Sequence, residues 1–228
     1  MLFHALIASP LGDILLAADA HSLAGLYFTD QRDCPQVSGL APATKTVSQP
    51  SAGTLHGRAT RSLKAVPAGE VAAKGSLFET PPAQATGTLS RSPSDGRAST
   101  LRLLQSETPA SALAVFRQTT QELDEYWRGE RKVFDVPLSP QGTAFQQRVW
   151  KALLAVPCGA TLSYGELGQQ AGLGEGHGRA VGTAVGSNPI SILIPCHRIL
   201  AHNRSLNGYG GGLDRKMRLL QLEGLAIR

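Results

Sequence analysis

Cysteine is scarce in this sequence. Three occur in 228 residues, Cys34, Cys158 and Cys196, far apart and with no C-x-x-C pair. Such an odd, sparse set argues against a disulfide scaffold and for a reducing compartment. The six histidines have no ligand spacing and no accompanying acidic pair, so no metal site is expected. No apolar run is long enough to span a membrane, and the N-terminus, MLFHALIASPLGD, lacks the basic start of a signal peptide. The cytoplasm is therefore the expected location. "GYGGGLD" (208–214) is glycine-rich and leads into a helix pattern, but it lacks the Lys-Ser/Thr ending of a phosphate loop. No internal repeat is present.

Periodicity and large side chains are missing over a long central stretch. Residues 35–109 are rich in Ser, Thr, Ala, Gly and Pro and poor in aromatics. Such a segment cannot bury enough apolar area to offset its ordering entropy, so it is expected to be a disordered insertion. Before it, the apolar runs 2–7, 13–18 and 23–28 predict a small antiparallel sheet, with "ASPLGD" as a turn. After it, Leu113, Phe116, Leu123 and Trp127 fall on one face of a predicted helix that "RGERK" ends in solvent. "VFDVPL" (133–138) is expected to be the last strand of that sheet. Beyond it the chain reads as helical. Thr143 with Gln146 and Ser163 with Glu166 have the spacing of capping boxes, and Phe145, Val149, Trp150, Leu153 and Leu154 form an apolar face up to Pro157. Residues 177–187 predict a short helix of small residues. Asp214 is expected to cap a last helix that runs to Leu222, with Gly224 as its stop.

The fold class is thus α+β. The expected domains are 1–34 plus 110–138, an N-terminal α/β unit, and 142–228, a C-terminal mostly helical unit. Net charge is +5, and residues 145–228 alone carry nine basic and four acidic side chains. That balance suits a polyanion and is also common on ordinary surfaces. Two short helices joined by the turn "GLGEG" have the look of a helix-turn-helix. The bulk-free second helix either packs tightly on a neighbour or approaches something wide, such as a DNA groove. Arg179 is its one long side chain.

"ILIPCHRIL" (192–200) carries the chemistry. Ile192, Leu193 and Ile194 read as a buried strand that Pro195 ends, before Cys196, His197 and Arg198. A cysteine attacks as its thiolate and needs a base or a positive field to do so near neutral pH. Neighbours on a strand point to opposite faces, so His197 can serve Cys196 only through a turn or a bridging water. A third group should orient the histidine, and Glu223, Asp214 and Glu166 compete for that part. These residues alone leave both readings open, a nucleophile or a buried inert thiol.

"NPISILIPCHRIL" and "NGYGGGLDRKMRLLQLEG", with "SYGELG" and "RAVG" upstream, closely resemble the O6-alkylguanine-DNA alkyltransferase (methylated-DNA–protein-cysteine methyltransferase) family. The match runs from about Phe145 to Leu225, is weaker over 1–34 and 111–144, and is absent over 35–109. The resemblance implies a ribonuclease-H-like N-terminal domain and a winged-helix-like C-terminal domain. It implies a monomer that binds duplex DNA through the minor groove with the O6-alkylguanine flipped out. Its function would be irreversible transfer of the alkyl group, from O6-alkylguanine and O4-methylthymine, to its own cysteine, once per molecule and without a cofactor. Cys196 would be the acceptor, His197 the base acting through water, Glu223 its orienter and Asn188 the brace of the active-site turn. Tyr164 would meet guanine N3 and the phosphate, and Arg179 would fill the gap left by the base. Tyr209 and the Gly210 N–H would form a lid over the base, with Lys216 near the pocket. Arg198 would be mainly structural.

Three departures stand out: Arg204 where many relatives have Gly, an extra residue within 172–178, and Gly210 in place of Ser or Ala. The presence of Cys196 argues against a binder that recognises lesions without transfer. The absence of a cysteine-rich N-terminal domain argues against a regulator switched by alkylation. The Asn-Pro and Gly-Tyr context does not suggest a Cys-His hydrolase.

Overall fold

The computed structural model describes residues 1–40, 99–174 and 176–226. Residues Met1–Lys45 and Ser94–Arg228 form one compact unit, and Thr46–Pro93, the other, lies outside the described residues. Four antiparallel strands open the fold: β1 (Phe3–Ile7), β2 (Ile14–Ala18), β3 (Leu23–Phe28) and β4 (Leu101–Leu103), in the order β3-β2-β1-β4. The β1–β2 turn closes because Gly12 takes φ +110 and its carbonyl accepts from Ser9 Oγ at 2.6 Å. All five residues of β2 are buried, as expected of a central strand covered on both faces. Helix α1 (Ala110–Trp127) packs on β1, β2 and β4 with Val115, Phe116, Leu123 and Tyr126 inward. Each fully buried side chain of this size contributes roughly 1.5–3 kcal/mol.

The last strand of the sheet is not where composition placed it. Strand β4 comes from the end of the segment 35–109 and pairs with β1, Ile7 opposite Leu101 and Ala5 opposite Leu103. Gln105 anchors it through His4, whose backbone N–H donates to Oε1 at 2.7 Å. "VFDVPL" forms no strand and gives only one parallel bridge, Leu138 to Leu23. Pro137 has no N–H to offer a ladder, and the Asp135 N–H is taken by Glu122 Oε2 at 2.8 Å. Most of the expected insertion, 41–98, lies outside the described residues. The Ser-, Thr-, Ala-, Gly- and Pro-rich composition of this stretch gives it little apolar area to bury, so excising 46–93 with a short flexible linker is expected to leave the melting temperature nearly unchanged. Excising 35–109 also removes β4 and should lower it measurably by calorimetry.

The free edge of β3 is covered twice. Leu23 N–H donates to the Pro137 carbonyl at 2.8 Å, and Ser139 N–H donates to the Leu23 carbonyl at 2.9 Å. Further along, Leu26 N–H donates to the Pro189 carbonyl at 2.9 Å and Ser191 N–H donates to the Leu26 carbonyl at 3.0 Å. The second pair ties the segment before Cys196 directly to the sheet.

The remaining elements are α2 (Ala144–Leu154), β5 (Leu162–Ser163), α3 (Tyr164–Gln170), α4 (Gly178–Gly186), β6 (Ile199–Leu200) and α5 (Leu213–Leu222), with β5 parallel to β6. Both capping boxes form at Thr143 and Ser163, each worth about 1 kcal/mol. Trp150 Nε1 donates to the Ala184 carbonyl at 2.8 Å and locks α2 to α4. Helix α4 has two characters. Val181, Ala184 and Val185 are buried, while Gly178, Arg179, Ala180 and Gly186 are exposed. Its small residues therefore serve tight packing on one side and leave an unobstructed face on the other. Asp214 does not cap α5: Gly212, at φ +91, is the cap residue and Asp214 lies in the first turn. The apolar run Ile192–Ile194 is not a strand but a buried turn, with Ile192 at φ 72. No helix among the described residues is long and apolar enough to cross a membrane.

Candidate active site

Cys196, His197 and Arg198 form one 3-10 turn between the buried turn and β6. Pro195 starts it, and Arg198 N–H closes it onto the Pro195 carbonyl at 3.0 Å. Cys196 is 6% exposed and His197 is fully buried. Asn188 organises the preceding turn from within. Its Oδ1 accepts from Ile190 N–H at 3.0 Å, while its Nδ2 donates to the Ile194 carbonyl at 2.9 Å and to Cys196 Sγ at 3.1 Å. The strained φ of Ile192 is thus held by a side chain that also touches the sulfur.

Behind the turn stands a buried charge cluster. The Glu223 side chain is 1% exposed. It accepts from His197 Nε2 at 2.9 Å, from Tyr126 Oη at 2.9 Å and from Arg198 Nη2 at 2.8 Å. Arg198 also donates through Nη1 to the Val156 carbonyl at 2.6 Å. Burial alone would raise the Glu223 pKa, but the hydrogen bonds from His197 and Arg198 outweigh it and hold it down at about 2. Glu223 is therefore an ionised acceptor, which assigns the His197 proton to Nε2. Nδ1 is then the basic nitrogen, and it is buried without a partner among the described residues. Burial lowers the His197 pKa, with Glu223 opposing, so the ring rests neutral. Burial also raises the Cys196 pKa, opposed by the Asn188 amide, the Lys216 charge and the backbone N–H groups of Cys196 and His197. With burial as the largest influence, the resting sulfur is a thiol.

Cys196 opens into a cavity of about 240 Å³ whose lining includes Tyr164, Val185, Asn188, Tyr209 and Gln31. Wider grooves of about 590 and 630 Å³ run elsewhere, and no cysteine lines them. Residues 144–225 match the family described as 6-O-methylguanine DNA methyltransferase, DNA binding domain. The methylated-DNA–protein-cysteine methyltransferase of Mycobacterium tuberculosis is 53% identical over 109 residues, 48% of this chain and 66% of that protein. The one from Methanosarcina mazei is 49% identical over 108 residues, 47% of this chain and 68% of that protein. The chain belongs to the methylated-DNA–protein-cysteine methyltransferase family.

Solved structures of this methyltransferase family extend the likeness along the chain. The M. tuberculosis O6-methylguanine methyltransferase superposes with a TM-score of 0.58 at 29% identity, over 98% of this chain and 93% of that one. The M. tuberculosis protein in complex with DNA superposes with a TM-score of 0.57 at 32% identity, over 96% and 90%.

In this family member the fold gathers Cys196, His197, Asn188, Glu223, Tyr164, Tyr209 and Gly210 at or behind one cavity. Of the three candidate orienting acids, Glu166 caps α3 and pairs with Arg204 at 3.3 Å, and Asp214 is exposed. Glu223 alone reaches the histidine. Tyr164 Oη lies at the cavity mouth, 3.4 Å from the Asn207 carbonyl. Arg179 projects from the exposed face of α4 and does not line the cavity. Lys216 is not at the cavity surface either. It is fully buried, and Nζ donates to the carbonyls of Ile199 at 2.5 Å and Asn207 at 2.5 Å. Burial brings its pKa down to about 8, and it braces the loop leading to Tyr209.

Arg204 does adopt the left-handed conformation, φ 62, and ties that same loop to the Thr161 carbonyl at 3.2 Å and to Glu166. Cys34 and Cys158 lie away from the cavity, and burial raises the pKa of each thiol. Sequence reasoning passed over Tyr126, Gln31 and Ser191. Tyr126 was hidden among the apolar residues of α1. Gln31 and Ser191 reach the cavity only because β3 carries both turns.

Proposed function

We propose that this protein repairs alkylated DNA by moving the alkyl group of O6-alkylguanine, and of O4-methylthymine, onto Cys196, once per molecule. The observation that carries the reading is Cys196 Sγ at the wall of a cavity, bonded to Asn188, with the neutral His197 and ionised Glu223 behind it. The names of its curated relatives and the DNA-bound relative support it.

The thiol proton passes through a water to His197 Nδ1, and Glu223 stabilises the imidazolium that results. The thiolate attacks the alkyl carbon, the S–C bond forms, and the C–O6 bond breaks with its electron pair going to guanine. The Gly210 N–H faces O6, Tyr209 covers the base, and the Tyr164 hydroxyl meets N3 and supplies the proton that guanine needs. The chain acts as a monomer in the cytoplasm. Its ribonuclease-H-like N-terminal domain supports a winged-helix-like C-terminal domain, whose α4 enters the minor groove with its small, exposed face. A base inside a duplex must be extruded, at a cost of a few kcal/mol, and Arg179 offsets part of this by occupying the gap.

The test is mass spectrometry after incubation with O6-methylguanine duplex. The peptide containing Cys196 gains one methyl group, and the yield stops at one per protein. A folded protein whose Cys196 stays unmodified ends the proposal. Arg179→Ala should slow transfer from duplex at least tenfold while leaving transfer from the free alkylated base nearly unchanged. Equal losses on both substrates remove Arg179 from the finger role.

A further inference from the structure

The cavity wall contains one side chain from the N-terminal sheet. Gln31 lies in the turn after β3, with its backbone N–H donating to the Phe28 carbonyl at 3.0 Å. Its side-chain Oε1 accepts from the Phe28 N–H, also at 3.0 Å. That second bond fixes the orientation of the amide. A glutamine amide has one acceptor end and one donor end, and the acceptor end is committed to the backbone. The donor end, Nε2, is therefore turned the other way. It stands 3.9 Å from where a Cβ on Gly210 would lie, and Gln31 lines the cavity that holds Cys196. Among the described residues no acceptor takes either Nε2 hydrogen.

The turn and the glycine lid are clamped to each other. The Arg215 guanidinium lies 4.3 Å from the centre of the Phe28 ring. Arg215 donates from Nη1 to the Gly211 carbonyl at 2.9 Å and from Nη2 to Asp30 Oδ2 at 2.9 Å. Gly211 packs so closely on Phe28 that a Cβ there would come within 2.8 Å of the ring. The Gln31 donor is thus held at a set place relative to Gly210.

We propose that Gln31 is a substrate-binding residue, its Nε2 donating a hydrogen bond to N7 of the flipped O6-alkylguanine. The proposal rests on the alkyltransferase reading above, in which O6 faces the Gly210 N–H. Guanine carries its acceptors O6 and N7 side by side on one edge, so a base seated with O6 at Gly210 brings N7 toward the neighbouring donor. The bond also strengthens during reaction. As the C–O6 bond breaks, its electron pair spreads over the purine, and N7 becomes a better acceptor. Gln31 gives a hydrogen bond and no proton. Gly210, without a side chain, leaves the approach clear.

The test is single-turnover transfer with two proteins and two duplexes: wild type and Gln31→Met, O6-methylguanine and 7-deaza-O6-methylguanine. Each change alone should slow transfer about five- to tenfold, the worth of one hydrogen bond. Combined, they should cost no more than either alone. Losses that multiply, or a Gln31→Met loss equal on both duplexes, overturn the proposal. Gln31→Glu supplies the control for structure, since it keeps an acceptor for the Phe28 N–H but turns an acceptor toward N7. It should slow transfer at least as much as Gln31→Met at an unchanged melting temperature, and wild-type rates would sink the donor role. Methylation of Cys196 in the wild type is read in the same experiment, so failure of this contact is separable from failure of the alkyltransferase reading.

Discussion

A Cys196→Ser protein is expected to transfer no detectable methyl group from O6-methylguanine duplex, yet to melt within a few degrees of the wild type. The substitution keeps the size of the side chain and an acceptor for Asn188 Nδ2, which stands 3.1 Å from Sγ. It removes the nucleophile. Burial already raises the cysteine pKa, and reaction depends on a local base drawing the proton away. A serine hydroxyl is far less acidic than a thiol, and the neutral His197 cannot hold its proton long enough for an alkoxide to attack carbon. Single-turnover assay with radiolabelled duplex measures the loss directly. Residual transfer, whether to the introduced hydroxyl or to another residue, would show that the chemistry does not depend on this sulfur. The two remaining cysteines are poor substitutes, because both lie away from the cavity with raised pKa values.

Glu223→Gln is expected to cost about 3–5 kcal/mol of stability, the usual penalty for removing one partner of a buried ion pair. In a chain of this size that lowers the melting temperature by roughly 10 °C. The neutral amide leaves the Arg198 guanidinium buried with only the Val156 carbonyl and a weaker acceptor, and it adds an N–H where Tyr126, His197 and Arg198 already donate. The same group sets the acid limb of stability. Its folded pKa of about 2 lies below the ordinary value of 4.5, so its contribution is complete above the ordinary value and is lost as pH falls toward the folded one. The wild type should lose on the order of 3 kcal/mol over that window, and Glu223→Gln should lack this component. Denaturant titrations at pH values from about 6 down to about 2 check both. Parallel acid curves for the two proteins would exclude Glu223 as their source.

What the sequence revealed and what it hid divide along one physical line. The capping boxes at Thr143 and Ser163 were legible because four residues of local chain contain the whole interaction. The first three strands were legible because short apolar runs and the turn between them are also local signals. The choice among Glu223, Asp214 and Glu166 was not, since only the packing of α5 against the 3-10 turn decides it. "VFDVPL" has the composition of a strand, but Glu122, eleven residues before its start, claims one of its donors. Strand β4 carries almost no pattern in three residues and exists because β1 had an open edge. The run Ile192–Ile194 was read as a strand because it is buried and apolar. Burial does not fix backbone angle, and Asn188 from outside the run imposes the turn.

The hydrogen bonds between Leu26 and the 189–191 segment give the reactive sulfur a particular kind of steadiness. A loop that hangs from its own two ends can fray with little free energy. This one is pinned to a sheet edge, with the Asn188 amide inside it. Opening it means breaking the bonds to β3 on one side or stripping a buried amide on the other, and a loop held only by its ends has neither restraint. The thiol is therefore held in place at the cavity wall, and its contact with the outside runs through the cavity. Alkylating agents, oxidants and bases alike reach it through the cavity that it lines, so the shape of that opening sets what the sulfur meets.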